Sequence, residues 1–509
     1  MKIKYIILSF LTALAFTSCD SWLDVMTKDK VLEEQQFSTE ENINSATNGL
    51  YWELIGEKLY GGHLTQTTIE TMGHFYTYPN SEPVAGNQSE PFYMLSYYRY
   101  NNEVVKRRFT EIWSGAYTAL LHINNYIKNV EKSPAIMSEA HKKTLLGEAY
   151  GLRAYIHFDL FRIYGPVYKN RTGAKILPYH DKADVTLNHA DYEETEYSSA
   201  DEFIQLLLKD IAKAESLLKE NDPIVTNPGG SITNDLLNEN FYQNRNRRMN
   251  YYALKGLEAR LLQYIGEYKK AAETAKIITN QIGGVFKWTA SSSVVSNNNY
   301  IFFSEVIFGM NNMSMASRAN SWYGGTVLSA SYLVDYNNLV KNIMGYEGNE
   351  LSGMLDIRSK QWMASNALPG SGNDYSNDGT FRSKKYFSTS SIQAANDFQV
   401  LMRISEMFYI QAETALKEGN TQQAIDLLNT VLRNRGLTEQ YFLTSGLSEF
   451  EIKAHIEKEY YREFFGEGQV FFFHKRRESA QMFNGNNSGS IAVTPESYVV
   501  PIPENETNI

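Results

Sequence analysis

The sequence predicts a mostly α-helical protein: a tetratricopeptide-like helical-repeat scaffold of stacked helix pairs, from which long loop-rich segments form a binding face. Three observations lead there. Apolar residues recur every three or four positions through four long stretches. Two of those stretches echo one another. Between the stretches lie segments too long and too polar to be ordinary connections.

The chain begins with an address. Met1-Lys2-Ile3-Lys4 precedes an apolar run over 5–16, followed by Thr17, Ser18 and Cys19. A basic start, a short apolar core and small residues ahead of the break make 1–18 a lipoprotein signal peptide, too short to span a bilayer stably. Cys19 is the single cysteine of 509 residues, so it has no disulfide framework or thiolate metal site to join. Its place fits a lipobox, with Phe16 where leucine is usual, and acylation there makes 19–30 a lipidated tether. Two or more acyl chains, at about 0.8 kcal/mol per buried methylene, form a durable anchor. Loss of 1–18 removes Lys2 and Lys4 and takes the formal net charge from −10 to −12. An acidic chain without a basic run argues against nucleic acid as a ligand and offers a membrane no polybasic patch.

The rest divides into an N-terminal helical-repeat region over 31–282, a loop-rich insert over 283–400 expected to carry the ligand-binding face, and a C-terminal helical region over 401–509. A first helix is expected within 38–59, with Ser38 and Glu41 placed as a capping box. A pair follows over 110–132 and 138–164, closed by Gly165-Pro166. In its second member Leu145, Ala149, Leu152, Ile156, Leu160 and Ile163 advance by three or four, which makes one buried stripe. Further helices are expected over 201–220, 249–282 and 403–435.

The echo lies in the last two. Ala259, Gly266 and Ala271 recur as Ala412, Gly419 and Ala424 at a constant offset of 153 residues. Small residues twelve apart around a glycine turn let two antiparallel helices approach closely, as in tetratricopeptide pairs. The polar, Gly/Asn/Ser-rich segments are 65–101, 167–199, 221–248 and 283–400, the last with a short strand expected within 300–309.

The sequence contains no Walker loop, G-x-S-x-G elbow, H-E-x-x-H or dinucleotide fingerprint. None of the nine histidines pairs with another at helical ligand spacing, so no cofactor or metal is expected. Asp374, Ser376 and Asp378-Gly379 imitate the start of a calcium loop, but Lys385 holds the twelfth place where a bidentate carboxylate belongs, and the segment reads as a turn. Glu459, Glu463 and Glu467 recur every four residues; such a stripe is expected to be solvated or paired with Arg462 or Arg476. A surface glycoside hydrolase stays as an alternative, because the separation of a carboxylate pair is set by the fold.

Aromatic residues give the better lead. The chain holds 35 Tyr, 26 Phe and 6 Trp, and several cluster in the polar segments: Phe75-Tyr76-Thr77-Tyr78, Phe92-Tyr93, Tyr97-Tyr98-Arg99-Tyr100, Trp288 and Trp322-Tyr323-Gly324-Gly325. A flat ring with a polar tip contributes binding at a wet surface, stacking on the C–H patches of a sugar or against a peptide. Tyr76, Tyr78, Tyr97, Tyr98, Arg99, Trp288, Trp322 and Tyr323 are the candidate ligand-binding residues.

Three segments together resemble the SusD/RagB family of nutrient-binding outer-membrane lipoproteins. The first is Gly147-Glu148-Ala149 with Arg153-Ala154, Phe158-Asp159-Leu160 and Tyr164-Gly165. The second is Arg403, Ser405 and Glu406 with Ala412-Glu413, Ala424, Leu428-Asn429 and Arg433. The third is Arg462-Glu463-Phe464-Phe465-Gly466-Glu467-Gly468, with Val500-Pro501-Ile502-Pro503 near the end. Phe473 stands where the family commonly has Asp, which puts one local ion pair in doubt.

The resemblance implies a SusD-like helical fold and a lid-like partnership with a SusC-like TonB-dependent outer-membrane transporter. It implies a non-enzymatic protein at the cell surface, lipid-anchored to the outer membrane, that captures an oligosaccharide and delivers it to that transporter. The same scaffold binding oligopeptides is the alternative, since family members differ in taking glycans or peptides. Asp20 behind the cysteine goes, in this group, with export to the cell exterior.

Overall fold

The computed structural model describes residues 34–183, 196–230, 241–323, 332–346, 354–364, 379–386 and 389–504. The signal peptide, Cys19, the tether, Gly324-Gly325 and the calcium-like residues Asp374 to Asp378 lie outside the described residues. Among the described residues no helix is long and apolar enough to cross a membrane.

Helices form where the apolar period is three to four and stop where a cap or glycine intervenes. The first, α1 (Glu40–Leu54), buries Ile43, Thr47, Leu50, Tyr51 and Leu54. Its cap falls one residue later than the sequence suggests: Thr39, in extended geometry, accepts from the Asn42 N–H at 3.2 Å, while the Ser38 hydroxyl donates to the Gln35 carbonyl. The expected pair is α2 (Glu103–Lys132) and α3 (Glu139–Tyr164), the latter capped by Ser138 accepting from the His141 N–H at 3.1 Å. Next comes α4 (Ala200–Leu218), opened by a reciprocal capping box between Ser199 and Glu202.

The echo is realised as two antiparallel hairpins, α5 (Tyr251–Tyr264) with α6 (Tyr268–Thr279) and α7 (Ile404–Lys417) with α8 (Thr421–Asn434). Gly266 and Gly419 turn them with φ of +88° and +76°, a left-handed backbone that glycine adopts without steric cost. Ala259, Ala271, Ala412 and Ala424 are all fully buried, as close helix approach requires. Each helix from α1 to α8 packs on its neighbour in chain order, the α6–α7 contact joining the two hairpins. The series ends in α9 (Glu449–Glu463) and α10 (Val470–Arg477).

The strands are short and antiparallel. Among the described residues they make four small sheets: β1 (Lys175–Pro178) with β2 (Tyr197–Ser199), β3 (Val306–Asn311) with β7 (Phe398–Arg403), β4 (Val334–Asp335) and β5 (Trp362–Ala364) on either side of β6 (Thr380–Ser383), and β8 (Gln481–Phe483) with β9 (Ser490–Ala492). β3 is the strand expected within 300–309, displaced toward its C-terminal end. One hydrophobic core runs beneath α1 to α6. A second is built jointly by α7, α8, α9 and residues of the 283–400 insert, among them Val306, Trp322, Trp362 and Phe381. The described part of the insert is therefore packed into a shared core with α7 to α9.

The family-like motifs hold this scaffold together. Arg260 makes a bidentate pair with Glu406 at 2.7 Å on each arm, joining α5 to α7. Arg245 reaches Glu148 on α3 and Asp222, and Arg153 clasps Asp210 on α4. The carboxylate ladder is buried and paired. Glu459 bonds Arg358 and Arg462, Glu463 bonds Arg358 and Arg435, and Glu467 bonds Arg403 and Lys385. The solvated alternative is thus not what forms, and Arg476 pairs with Glu413. Where Asp was expected, Phe473 packs its ring 4.2 Å from that of Tyr460.

Candidate functional site

Among the described residues an open groove of about 1640 Å³ lies between the C-terminal half of α1, the start of α2, residues 241–248 and residues 311–318. It exceeds the range of roughly 300–1,000 Å³ usual for pockets that enclose one small molecule, and so suits an extended ligand.

Trp52 stands at its wall. The buried positions of α1 occupy one face, and at 100° per residue position 52 falls on the opposite face, with Asn48 one turn before it. Trp52 is accordingly 80 % exposed, and Met313 across the groove is 85 % exposed. Two large apolar side chains open to water in one concavity mark a contact surface.

Around them the groove is cationic. After α1 the chain turns through Gly56, Gly61 and Gly62, presenting exposed Lys58. A Cβ at Gly61 would lie 2.2 Å from Arg318 Nη1, so glycine is needed for that guanidinium to donate to the carbonyls of Ile55 at 2.8 Å and Gly61 at 3.1 Å. On α2, Arg107 is exposed and Arg108 donates to the Thr68 hydroxyl at 3.2 Å. Asn244, left-handed at φ +50°, starts the short 3-10 turn Arg245–Arg247 that brings Arg247 and Arg248 to the wall. Arg247 donates to Asn311 and to the Ala394 carbonyl. Arg248 lies 4.0 Å over the Phe241 ring and 3.4 Å from Glu148. Asn312 is buried at the wall, and its side-chain nitrogen has no hydrogen-bond partner among the described residues.

The acidic side chains of the groove are engaged or peripheral. Glu53 lies 2.7 Å from His122 and Glu111 3.1 Å from His63; Glu57 is exposed. Burial pushes the His63 imidazolium pKa down to about 4, with nearby Arg108 acting in the same direction, so the ring is neutral near pH 7. Glu70, whose carboxyl burial pushes up to about 8, is not in the groove; it sits in the interior accepting from the N–H groups of Glu467 and Gly468 at 3.0 Å. No cluster of His, Cys, Asp or Glu able to hold a metal occurs among the described residues.

The aromatic residues singled out from sequence lie elsewhere. Tyr76 and Tyr323 are each 1 % exposed; the two hydroxyls are 3.1 Å apart, and Tyr76 donates to the Gln66 carbonyl while Tyr323 donates to its side chain. Trp322 packs edge-on to Tyr323 and Tyr332, and Tyr78 edge-on to Tyr97, with the Tyr78 hydroxyl on Asn484. Burial raises the Tyr76 and Tyr323 hydroxyls well above the ordinary phenol range.

These rings were expected at a wet surface; the structure covers Tyr76, Tyr78, Trp322 and Tyr323 because the polar segments that carry them fold into short helices (Thr68–Met72, Glu90–Ser96, Met315–Tyr323) that close over the second core. Tyr98 is half-buried and donates to the Met72 carbonyl; Trp288 stands apart, half-buried against Phe408. Tyr97 is half-exposed and Arg99 exposed. Sequence reasoning missed Trp52, whose signal was there: a tryptophan out of phase with the apolar stripe of its helix.

Comparison with known proteins follows the same architecture. A family described as "Starch-binding associating with outer membrane" matches residues 21–229, and the SusD family matches residues 225–508. SusD-like protein P38 of Formosa agariphila is 28 % identical over 224 residues, 43 % of this chain and 38 % of that protein. A SusD-like protein of Bacteroides ovatus is 25 % identical over 169 residues, 33 % of this chain and 28 % of its own length. These matches therefore span well under half of either relative.

Among solved structures, a SusD superfamily protein from Bacteroides thetaiotaomicron superposes with a TM-score of 0.68 at 19 % identity, covering 92 % of this chain and 98 % of the other. A SusD-like carbohydrate binding protein from Bacteroides vulgatus gives 0.66 at 16 % identity, covering 92 % and 96 %. At such identities the likeness establishes the fold.

Proposed function

The chain belongs to the SusD family, and from that premise we propose that it is a non-enzymatic receptor that captures an oligosaccharide in the Trp52 groove and hands it to a TonB-dependent transporter. A lipid at Cys19 holds the receptor on the outer surface of the outer membrane, in keeping with the family description that matches its N-terminal part.

The observation that carries the reading is Trp52, a ring left 80 % exposed on a helix that buries its other large apolar residues, at the wall of a groove lined by Asn48, Gln243, Asn311 and arginines. A pyranose laid on that ring covers roughly 60 Å² of apolar surface, worth about 1.5 kcal/mol at about 25 cal/mol per Å². The amides and guanidinium groups supply hydrogen bonds for hydroxyls. Affinity built this way is modest, in the range of roughly micromolar or weaker.

The test is glycan-array and calorimetric binding to the mature protein, with a peptide library in parallel. Trp52→Ala is expected to weaken glycan binding about tenfold, the equivalent of ~1.4 kcal/mol, with thermal stability unchanged. Binding of peptides and no glycan, or glycan binding indifferent to Trp52→Ala, overturns the proposal.

A further inference from the structure

We infer that the ligand of this groove is an anionic oligosaccharide, one that carries carboxylate or sulfate groups along its length. The inference rests on the glycan reading of the groove and adds the charge of the glycan to it.

The chain as a whole has a formal net charge of −10, yet the groove gathers six cationic side chains, Lys58, Arg107, Arg108, Arg247, Arg248 and Arg318, against three carboxylates. Lys58, Arg107, Arg108 and Arg318 form no ion pair with a carboxylate among the described residues; Arg108 and Arg318 spend donors on a hydroxyl and two carbonyls, which leave their charge uncompensated. In the interior several buried arginines are matched to carboxylates, as Arg260 is to Glu406 and Arg435 to Glu463 and Glu305. The four groove cations without a carboxylate are exposed or half-buried, open to an incoming anion.

Of its carboxylates, Glu53 lies against His122, while Glu111 lies against a neutral His63 and keeps its charge with Glu57; the cations still outnumber them. Like charges held together on a concave wall focus a positive potential there and favour an anion of matching spacing. Guanidinium groups bind carboxylate and sulfate oxygens through paired N–H donors. A neutral sugar would gain nothing from this excess of charge.

The experiment compares four probes on the mature protein: oligogalacturonate for carboxylate, sulfated galactan oligosaccharides for sulfate, maltooligosaccharides as the neutral glycan, and an oligoglutamate peptide as a non-glycan anion. One of the two acidic glycans is expected to bind, and its dissociation constant to rise about tenfold between roughly 50 mM and 500 mM salt as screening sets in. Lys58→Gln and Arg107→Gln, both at exposed positions, are each expected to weaken it about threefold to tenfold with unchanged melting temperature.

Binding of the neutral glycan alone, insensitive to salt and to Arg107→Gln, sinks the inference while leaving the glycan receptor standing. Binding of oligoglutamate and no glycan keeps an anion site and sinks the receptor reading. Binding of none of the four overturns both.

Discussion

Glu463→Gln tests whether the family-like carboxylates act as structure. Glu463 is fully buried, and its oxygens receive Arg435 Nε at 2.5 Å, Arg435 Nη2 at 3.1 Å, Arg358 Nη1 at 2.9 Å and the Ser405 hydroxyl at 3.2 Å, with Arg403 Nη1 4.0 Å away. The amide keeps the shape and removes the charge, so three buried guanidinium groups lose a shared counter-ion. Glu459, Asp356, Glu305 and Glu467 still compensate them in part. Breaking one member of a buried pair costs about 3–5 kcal/mol, and partial compensation puts the expected loss near the lower figure, about 3 kcal/mol.

Denaturant unfolding reads this as a lower midpoint at unchanged slope. The pH dependence carries a second signature. The arginines hold the Glu463 carboxyl well below the ordinary range, and Glu459 at about 2. Groups with depressed folded pKa values contribute stability that is present above the unfolded value near 4.5 and lost as pH falls through the folded one. The variant should therefore show a shallower loss of stability below about pH 4.5. A variant within about 1 kcal/mol of the wild type, or one of native stability that has lost ligand binding, refutes a structural role for Glu463.

Two further perturbations probe the interior. Glu70→Gln keeps an acceptor for the N–H groups of Glu467 and Gly468 and removes a carboxyl that burial raises to about 8. A raised folded pKa costs stability as pH climbs from about 4.5 to 8, so the variant should gain on the wild type over that window and most at its upper end; melting curves that stay parallel from pH 5 to pH 9 would refute this. Phe473→Asp restores the residue the family commonly carries, but at a site where the ring packs on Tyr460 and Arg476 is already paired with Glu413. It is expected to destabilise by about 3 kcal/mol or more, and a neutral outcome by chemical denaturation would show that the pocket can supply the carboxylate with a partner.

Much of the helical scaffold could be read from sequence because its signals are local. The stripe through Leu145, Ala149 and Leu152 and the repeated Ala-Gly-Ala spacing each report a face or a turn within one hairpin, and Gly266 and Gly419 are where the backbone needs φ above zero. The ion-pair partners were not readable, since Arg260 with Glu406 spans 146 residues and Arg358 with Glu459 spans 101. An acidic period of four on α9 specifies a face, but whether that face meets water or Arg358 is decided by a segment a hundred positions earlier.

The exposure of Tyr76, Tyr78, Trp322 and Tyr323 was not readable for a related reason. Aromatic clusters such as Tyr76-Thr77-Tyr78 and Trp322-Tyr323 sit among polar residues in sequence, and polar neighbours alone suggest exposure. In space the ring hydroxyls are satisfied by Gln66, for Tyr76 and Tyr323, and by Asn484, for Tyr78, partners mostly distant in sequence, which is what allows the rings to be buried. Exposure is better predicted by a break in phase than by polar company. Trp52 is flanked by Tyr51 and Leu54, both buried, and it alone of the three falls off the apolar face. A tryptophan kept in water on a regular helix has no packing role to account for it, whereas a ligand that covers its ring would.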